Sequence, residues 1–386
     1  MAEPFDMSLV QRGARNRRTP YYEATQKYGP KGFTVYNHMY FPIRFDDFEK
    51  EFDTLLNDVT LWDVSVERCL EISGPDGFTF AQLMTPRDLR KCQVGQAKYV
   101  LVCDSDGGII NDPVLTRMDE NTFWFALASS DTLLWARGLK NAYPELDVTI
   151  KEADVAPLQV QGPKSKDLMV DLVGESILDI KYYWFTNAEI AGAPVVITRT
   201  GWTSEVGYEV YLTDGSKGTE VYEALMKAGE KYNIKPTGPS DIRRIEGAIF
   251  NWGADMTYQE NAFELGLERL VDLDTVSEDA CISIKAYKDI KAKGVSKKIN
   301  GVEFDGDPFP SLNNVKWDIR EGSAKIGKIT SAIYSPRLKK NIGYGWLPAD
   351  KSVLGSTISV ETEWGPRTGT VVEMPFVDPS KQIPVS

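Results

Sequence analysis

The stretch RTGWTSEVGYEVYLTD, Arg199 to Asp214, alternates in polarity and is punctuated by Gly201 and Gly207. Alternation rich in β-branched and aromatic residues predicts a strand. Counting by twos puts Trp202, Ser204, Val206, Tyr208, Val210 and Leu212 on one face, and Thr203, Glu205, Gly207, Glu209, Tyr211 and Thr213 on the other. The first set is mostly apolar and is expected to face a core. The second sets Glu209 beside Tyr211, with Gly207 expected to leave open space ahead of them. Two readings stay open. Alternating polar residues routinely make a solvated sheet face, and on pattern alone that reading leads. The other is a ring-binding face: a carboxylate accepts two parallel N–H donors, as an aminopyrimidine-like ring offers, and a tyrosine beside it makes an aromatic wall.

Working outward, Ala156–Gly162 and Ala193–Arg199 read as strands and Ser165–Val173 as a helix. Downstream, Lys217–Tyr232 and Ser240–Trp252 read as helices, the second with Ile242, Ile245, Ile249 and Trp252 along one face. The earlier half has a similar outline. Phe45–Leu56 has helical spacing, WDVSVERCLEISG reads as one strand ending at Gly74, and Asp76–Met84 is a helix stopped by Pro86. AKYVLVCDSDGGIINDPVLTRM reads as two strands around an Asp104–Gly108 turn, followed by a TFWFALA strand and a helix over Thr132–Asn141. From about Val302 to Val377 the chain is strand-rich and turn-rich, which predicts an appended all-β domain. The class is α+β with mainly antiparallel sheet.

The 386 residues suffice for two or three domains, and 42% apolar with 26% charged residues is a globular composition. A net charge of −12 argues against nucleic acid or an anionic membrane as partner. No apolar run reaches the ~20 residues that span a bilayer, and no signal-peptide pattern is present. Arg12, Arg15, Arg17 and Arg18 suggest a transit peptide, but Glu3, Asp6 and the lack of an amphipathic pattern favour a plain basic arm. Cys69, Cys92, Cys103 and Cys281 lack CxxC spacing and read as buried thiols of a reducing compartment, so a cytoplasmic location is expected. His38 is the sole histidine, which leaves no histidine triad and no multi-histidine metal site. It reads as a packed, hydrogen-bonded residue. Acid–base chemistry falls to carboxylates, tyrosines or lysines, and no metal is expected.

In the hairpin, Ile110, Asp112 and Val114 share a face, while Ile109 and Asn111 point the other way. A carboxylate among apolar neighbours is partly desolvated, which raises its pKa or demands a donor. Pro113 marks an edge or bulge, a place where strands re-aim side chains. From pattern alone, a structural Asp112 bonded to a turn amide leads over a functional one. The DSDGG turn does not fit a calcium loop, because its twelfth position is Leu115. Neither GxGxxG nor a phosphate loop occurs, and the glycines of WGAD and GYGW read as turn residues.

Six segments occur in an order that resembles the glycine-cleavage T-protein family: TPYYEA (Thr19–Ala24), WDVSVER (Trp62–Arg68), QAKYVLVCDSDGGIINDPV (Gln96–Val114), LQVQGPKS (Leu158–Ser165), RTGWTSEVGYEVYL, and RRIEGAIFNWGADM (Arg243–Met256). That family consists of tetrahydrofolate-dependent one-carbon transferases. The resemblance implies a three-domain fold around a central folate site, with a C-terminal β-barrel or jelly-roll-like domain. The expected boundaries are 1–285 for two interleaved folate-binding domains, the second roughly 52–98 and 151–239, and 286–386 for the β-domain. Residue by residue, Asp112 matches the carboxylate near N5 of the pterin, and Glu209 the glutamate gripping the aminopyrimidine edge. Tyr99 matches a cavity tyrosine, and Tyr211 and Trp202 are wall residues by neighbourhood.

Departures narrow the subfamily. T-proteins carry DVSHMG where this chain reads DVSVER, so the family's His is Val66, and their folate-contacting Arg is Ser240. The combination TVYNHM, WDVSVER, MTPRDL and IINDP most resembles the dimethylsulfoniopropionate demethylases and their relatives. No Cys stands in a KGCYxGQE-like motif, which sets the chain apart from the iron–sulfur-assembly folate proteins. The implied reaction moves a methyl group from a sulfonium donor to N5 of tetrahydrofolate, with Asp112 accepting the N5 proton or holding the donor cation. Tyr99, Trp202 or Trp184 could offer a ring face to the cation. Rival expectations are an O- or N-demethylase, an aminomethyltransferase needing a lipoyl-protein partner, and a folate-binding regulatory module without turnover. The expected partners are a small methyl donor and tetrahydrofolate, with no nucleic acid and no membrane. A homodimer is left open.

Overall fold

A computed structural model describes residue 10 and residues 13–386. Arg12, Glu3 and Asp6 of the expected basic arm lie outside the described residues. Two of its other cations are paired, Arg17 with Glu152 at 2.8 Å and Arg18 with Glu23 at 2.7 Å. After a short helix α1 (Tyr22–Gln26), strands β1 (Gly32–Tyr36) and β2 (Met39–Arg44) form a hairpin. Its two turn residues, Asn37 (φ 46) and His38 (φ 64), both take positive φ, the signature of a type I′ turn. His38 is therefore exposed at the tip rather than packed as expected, and its carbonyl accepts the Arg17 amide.

Helix α2 (Phe48–Asn57) begins later than its spacing predicts, because Glu51 Oε1 accepts the Phe45 and Asp46 amides and holds the entering chain extended. The WDVSVERCLEISG segment is not one strand. It divides into β3 (Thr60–Asp63) and β4 (Cys69–Ser73), which lie in different sheets. The break is local chemistry: Asp63 Oδ1 accepts both the amide and hydroxyl of Ser65, and the Glu67 amide closes on Val64 O at 2.9 Å.

Helix α3 (Gly77–Met84) precedes β5 (Ala97–Tyr99), β6 (Val102–Cys103), β7 (Ile109–Asn111) and β8 (Val114–Arg117). The predicted hairpin forms around Asp104, whose Oδ1 accepts the amides of Asp106 and Gly108. Only β5 and β8 continue into the main sheet, with β9 (Phe123–Ala126) and, past helix α4 (Thr132–Lys140), β10 (Thr149–Glu152). The resulting five-stranded order is β10-β4-β9-β8-β5, all antiparallel. Its core joins Leu70, Phe80, Met84, Phe123 and Phe125 beneath α3 and α4.

The second sheet collects β11 (Ala156–Gln161), β12 (Phe185–Ile190), β13 (Ala193–Thr198), β14 (Gly207–Leu212) and β15 (Lys235–Pro236), in the order β12-β13-β14-β11-β3-β15. Within the expected 52–98 segment, β3 joins this sheet, whereas β4 and β5 lie in the other. Helices α5 (Ser165–Val173) and α6 (Gly218–Gly229) cover one face over Leu158, Val160, Tyr208, Val210 and Leu212. Helix α7 (Asp241–Glu246) is much shorter than the predicted 240–252. It ends at Gly247, and Ala248 at φ 53 turns the chain away.

Helix α8 (Ile284–Lys293) leads to a closed antiparallel barrel of β16 (Lys297–Phe304), β17 (Trp317–Glu321), β18 (Ala324–Ser335), β19 (Lys340–Pro348), β20 (Thr357–Thr362) and β21 (Gly365–Val372). Closure removes free sheet edges, and Val302, Trp317, Ile319, Ile329 and Val371 fill the interior. Arg244 of α7 ties the barrel to the rest, reaching Asp241 at 2.7 Å, Asp255 at 2.8 Å and Ser331 of β18. All four cysteines are buried free thiols. No helix among the described residues is long and apolar enough to cross a membrane.

Candidate active site

Strand parity holds in β14 and fails before it. The strand starts only at Gly207, while Arg199–Val206 is a loop with Ser204 at φ 52, so Trp202 does not belong to the alternation. Tyr208, Val210 and Leu212 face the core as predicted. The opposite face is not solvated: Glu209 is 4% exposed and Tyr211 3%. The five-stranded sheet covers it, with the Trp124 ring of β9 6.3 Å from the Tyr211 ring.

Glu209 occupies the middle of a row set by strand register. Thr198, Glu209, Gln159 and Trp62 stand opposite one another across β13, β14, β11 and β3. Gln159 Nε2 donates to Glu209 Oε1 at 2.7 Å, and the hydroxyls of Thr200, Tyr211 and Thr198 converge on Oε2. Burial raises the Glu209 pKa, and these donors draw it back. Gly207 does not leave room for a ring. A Cβ there meets the Gln161 amide at 2.5 Å, and one at Gly201 meets the same amide. Gln161 Nε2 in turn donates to Thr200 O and Tyr208 O, and Thr203 Oγ1 donates to Gln161 Oε1. The two glycines thus make room for a buried amide that pins the loop carrying Thr200.

Asp112 sits at the break between β7 and β8. Ile109 and Asn111 are fully buried, whereas Ile110, Asp112 and Val114 keep part of their surface open. The partner of its carboxylate is not a turn amide but the Tyr99 hydroxyl of β5, which donates to Oδ2 at 3.0 Å. Burial pushes the Asp112 carboxyl up to about 7, while the Tyr99 hydrogen bond and its own amide draw it down. Tyr99 and Tyr183 have the same character, with pKa values raised chiefly by burial and partial exposure retained.

Sequence reasoning missed Glu67, Tyr183 and Gln159. Glu67 projects from the Val64–Arg68 turn, where no strand or helix period picks out a residue. Its pKa is raised well above the usual carboxylate range by burial first, then by the negative charges of Glu209 and Asp112. Tyr183 had one signal in its backbone, a positive φ of 63 on a bulky residue, which only the structure reveals. It lies close enough to Tyr99, Glu209 and Arg87 for their charges to bear on it.

The remaining expected residues scatter. Trp202 reaches the row through its amide, which donates to Gln159 Oε1 at 3.4 Å, and its ring packs with Leu55, Trp62 and Val64. Trp184 lies against Gly95, with Lys181 Nζ 5.9 Å from its ring centre. Val66 is buried against Met39 and Phe41. Ser240 caps α7 by accepting the Arg243 amide. A cavity of about 330 Å³ opens at the Trp62 end of the row, lined also by Glu51, Thr237, Ser240 and Phe309. No three described His, Cys, Asp or Glu side chains converge closely enough to hold a metal ion.

Comparison with known proteins adds to this geometry. The family model described as the GCVT N-terminal domain matches residues 6–275, and that of the glycine cleavage T-protein C-terminal barrel domain matches 297–378. Dimethylsulfoniopropionate demethylase DmdA of Ruegeria pomeroyi is 32% identical over 367 residues, covering 95% of this chain and 99% of that protein. An aminomethyltransferase of Halothermothrix orenii is 29% identical, covering 94% of this chain and 100% of that protein. The crystal structure of glycine cleavage system aminomethyltransferase T from Bartonella henselae shares the fold, with a TM-score of 0.83 at 21% identity over 94% of this chain and 98% of that one.

Proposed function

We propose a function from one premise, that this chain belongs to the glycine cleavage T-protein family: it is a tetrahydrofolate-dependent methyltransferase acting on a sulfonium. The donor is dimethylsulfoniopropionate and the acceptor is N5 of tetrahydrofolate, giving methylmercaptopropionate and 5-methyltetrahydrofolate. The S–CH3 electron pair stays on sulfur, the N5 lone pair forms the new bond, and the N5 proton leaves. A sulfonium methyl is already activated, so the protein's task is alignment and exclusion of water.

The observation that carries this reading is Asp112, whose carboxylate accepts the Tyr99 hydroxyl at 3.0 Å and whose pKa burial pushes up to about 7. A base of that pKa accepts a proton at neutral pH and releases it again. Tyr99 holds it in place. Glu209 orients the pterin by exchanging one of its hydroxyl donors for ring N–H groups, since Thr200 and Thr198 are rotatable. The row from Glu209 across Gln159 to Trp62 runs two strands, about 10 Å at the usual strand spacing, and ends at the 330 Å³ cavity. That length suits the extended remainder of a folate. In this reading 1–285 form the interleaved folate-binding domains and 286–386 the C-terminal β-domain.

An aminomethyl donor is disfavoured because Val66 and Ser240, which replace the family's His and Arg, serve packing and helix capping here. The test is incubation of protein, tetrahydrofolate and a panel of sulfonium, N-methyl and O-methyl donors, with detection of 5-methyltetrahydrofolate. Turnover with the sulfonium is expected. Turnover with an N- or O-methyl donor alone assigns a different donor, and folate binding without any turnover leaves a regulatory module.

A further inference from the structure

Arg199 points away from the row that holds Glu209. Thr198 and Thr200 turn their hydroxyls to the Glu209 carboxylate, and Arg199, between them, faces the other side of the sheet. It is 5% exposed, and its guanidinium carbon lies 5.2 Å from the Tyr208 ring centre. Three carbonyls accept its hydrogen bonds. Nη1 donates to Gly207 O at 3.2 Å and to Pro384 O at 3.0 Å, and Nη2 donates to Ser386 O at 2.7 Å. Two of the three acceptors thus come from the Asp378–Ser386 segment, remote in sequence.

That segment carries its own anchors. The Asp378 carboxylate accepts the Gln382 and Ile383 amides at 2.9 and 2.8 Å, at the head of a short helix α9 (Gln382–Val385). Lys381 Nζ donates to Gly247 O at 2.6 Å, and the Val377 amide to Glu246 O at 3.0 Å, so the chain crosses the C-terminal end of α7. Arg199 passes this docking on to the folate grip. Its amide donates to Trp184 O at 2.9 Å and its carbonyl accepts the Tyr183 amide at 3.0 Å, which fixes the backbone entering Thr200. Thr200 donates its hydroxyl to Glu209, and its carbonyl accepts Gln161 Nε2 at 3.2 Å. Without α9 the buried guanidinium keeps Gly207 O alone among these acceptors. A charge so poorly partnered in a dry site is costly, so the side chain turns to water and draws the Arg199–Thr200 backbone with it.

We propose that Asp378–Ser386 is a strap that sets the folate grip, with Arg199 as the positioning residue between them. Docked, the strap holds Thr200 on Glu209; undocked, it releases both. This rests on the reading of Glu209 as the anchor of the pterin and adds a moving part to it. Linkage makes the effect mutual. If docking tightens tetrahydrofolate by some factor, tetrahydrofolate favours docking by the same factor.

The test reads both directions. Deleting residues 382–386 should weaken tetrahydrofolate binding by about 10-fold in a fluorescence titration, the scale of one charge-assisted contact. Arg199→Met keeps the apolar stem and should lose a similar factor. Combining it with the deletion should cost little more, because both break one linkage. A synthetic peptide DPSKQIPVS, residues 378–386, should restore part of the affinity to the truncated protein and none when Arg199→Met is also present. In the full chain, saturating tetrahydrofolate should slow hydrogen exchange at Gln382 and Ile383 by about the same 10-fold, with no matching change in β20 of the barrel. A segment that only stabilises the fold does not respond to folate in this way. Truncated protein that binds tetrahydrofolate within about twofold of wild type overturns the proposal, and so does exchange in the segment that folate leaves unchanged. If the deletion prevents folding, the exchange measurement and Arg199→Met decide. A full-length protein that does not bind tetrahydrofolate sinks the folate reading itself, whereas binding indifferent to the segment sinks the strap alone.

Discussion

Under the proposed reaction, Asp112 ties the chemistry to pH. Its carboxyl is raised from 3.8 to about 7 in the folded protein, so its contribution to stability is fully present below 3.8 and lost as pH rises through 7. Asp112→Asn should therefore raise Tm above pH 7 by roughly 3 °C or more, with the gain vanishing toward pH 4 in thermal melts. The same substitution should lower methyl transfer by about 10²-fold or more. Wild-type turnover should rise with an inflection about pH 7 as the carboxylate forms. Tyr99→Phe removes a hydrogen bond that favours the charged form and should move that inflection upward, measurable in a pH–rate profile. Glu209→Ala should weaken tetrahydrofolate binding by about 10-fold or more, read by fluorescence titration. Strand parity made Glu209, Tyr211 and Asp112 legible as candidates, although on pattern alone a solvated face and a structural Asp112 led, and only the resemblance picked out Tyr99. Glu67 was not, because a turn has no period to count. Gln159 was missed because its partner lies on another strand and only register pairs them.

At the scale of elements, period two located β14 and its core face, but it could not tell a solvated face from one covered by a second sheet. That cover comes from β9, and no property of Arg199–Asp214 encodes it. The loop before β14 passed for strand because its polarity alternates by chance, and the Asp63–Ser65 turn was hidden in a run that alternates just as well. Helix α7 stops short of its apolar stripe because Tyr344 and Lys381 take its terminal carbonyls, donating to Ile245 O and Gly247 O. Gly207→Ala tests the role of Gln161: with only 2.5 Å to that amide, the added methyl should destabilise by about 1–3 kcal/mol. Denaturant titration measures the loss. Tetrahydrofolate affinity should fall with it, because the displaced amide no longer pins the loop that holds Thr200 on Glu209.

Over the whole molecule, Arg244 is the buried cation where α7, the Asp255 loop and the barrel meet. Arg244→Ala leaves Asp255 with only neutral donors and should cost about 3–5 kcal/mol, seen as a lower denaturation midpoint. The arrangement of the sheets also has a consequence in time. Every strand of the five-stranded sheet lies between Cys69 and Glu152, whereas β3 precedes them and pairs with β11, Leu61 opposite Val160. A ribosome moving from the N-terminal end completes the first sheet before β3 has any neighbour. At 5–20 residues per second, the wholly buried Thr60–Asp63 strand stays unpaired for roughly 5–20 s. A nascent chain stalled near Glu152 is therefore the aggregation-prone form of this protein, and the one a chaperone would hold.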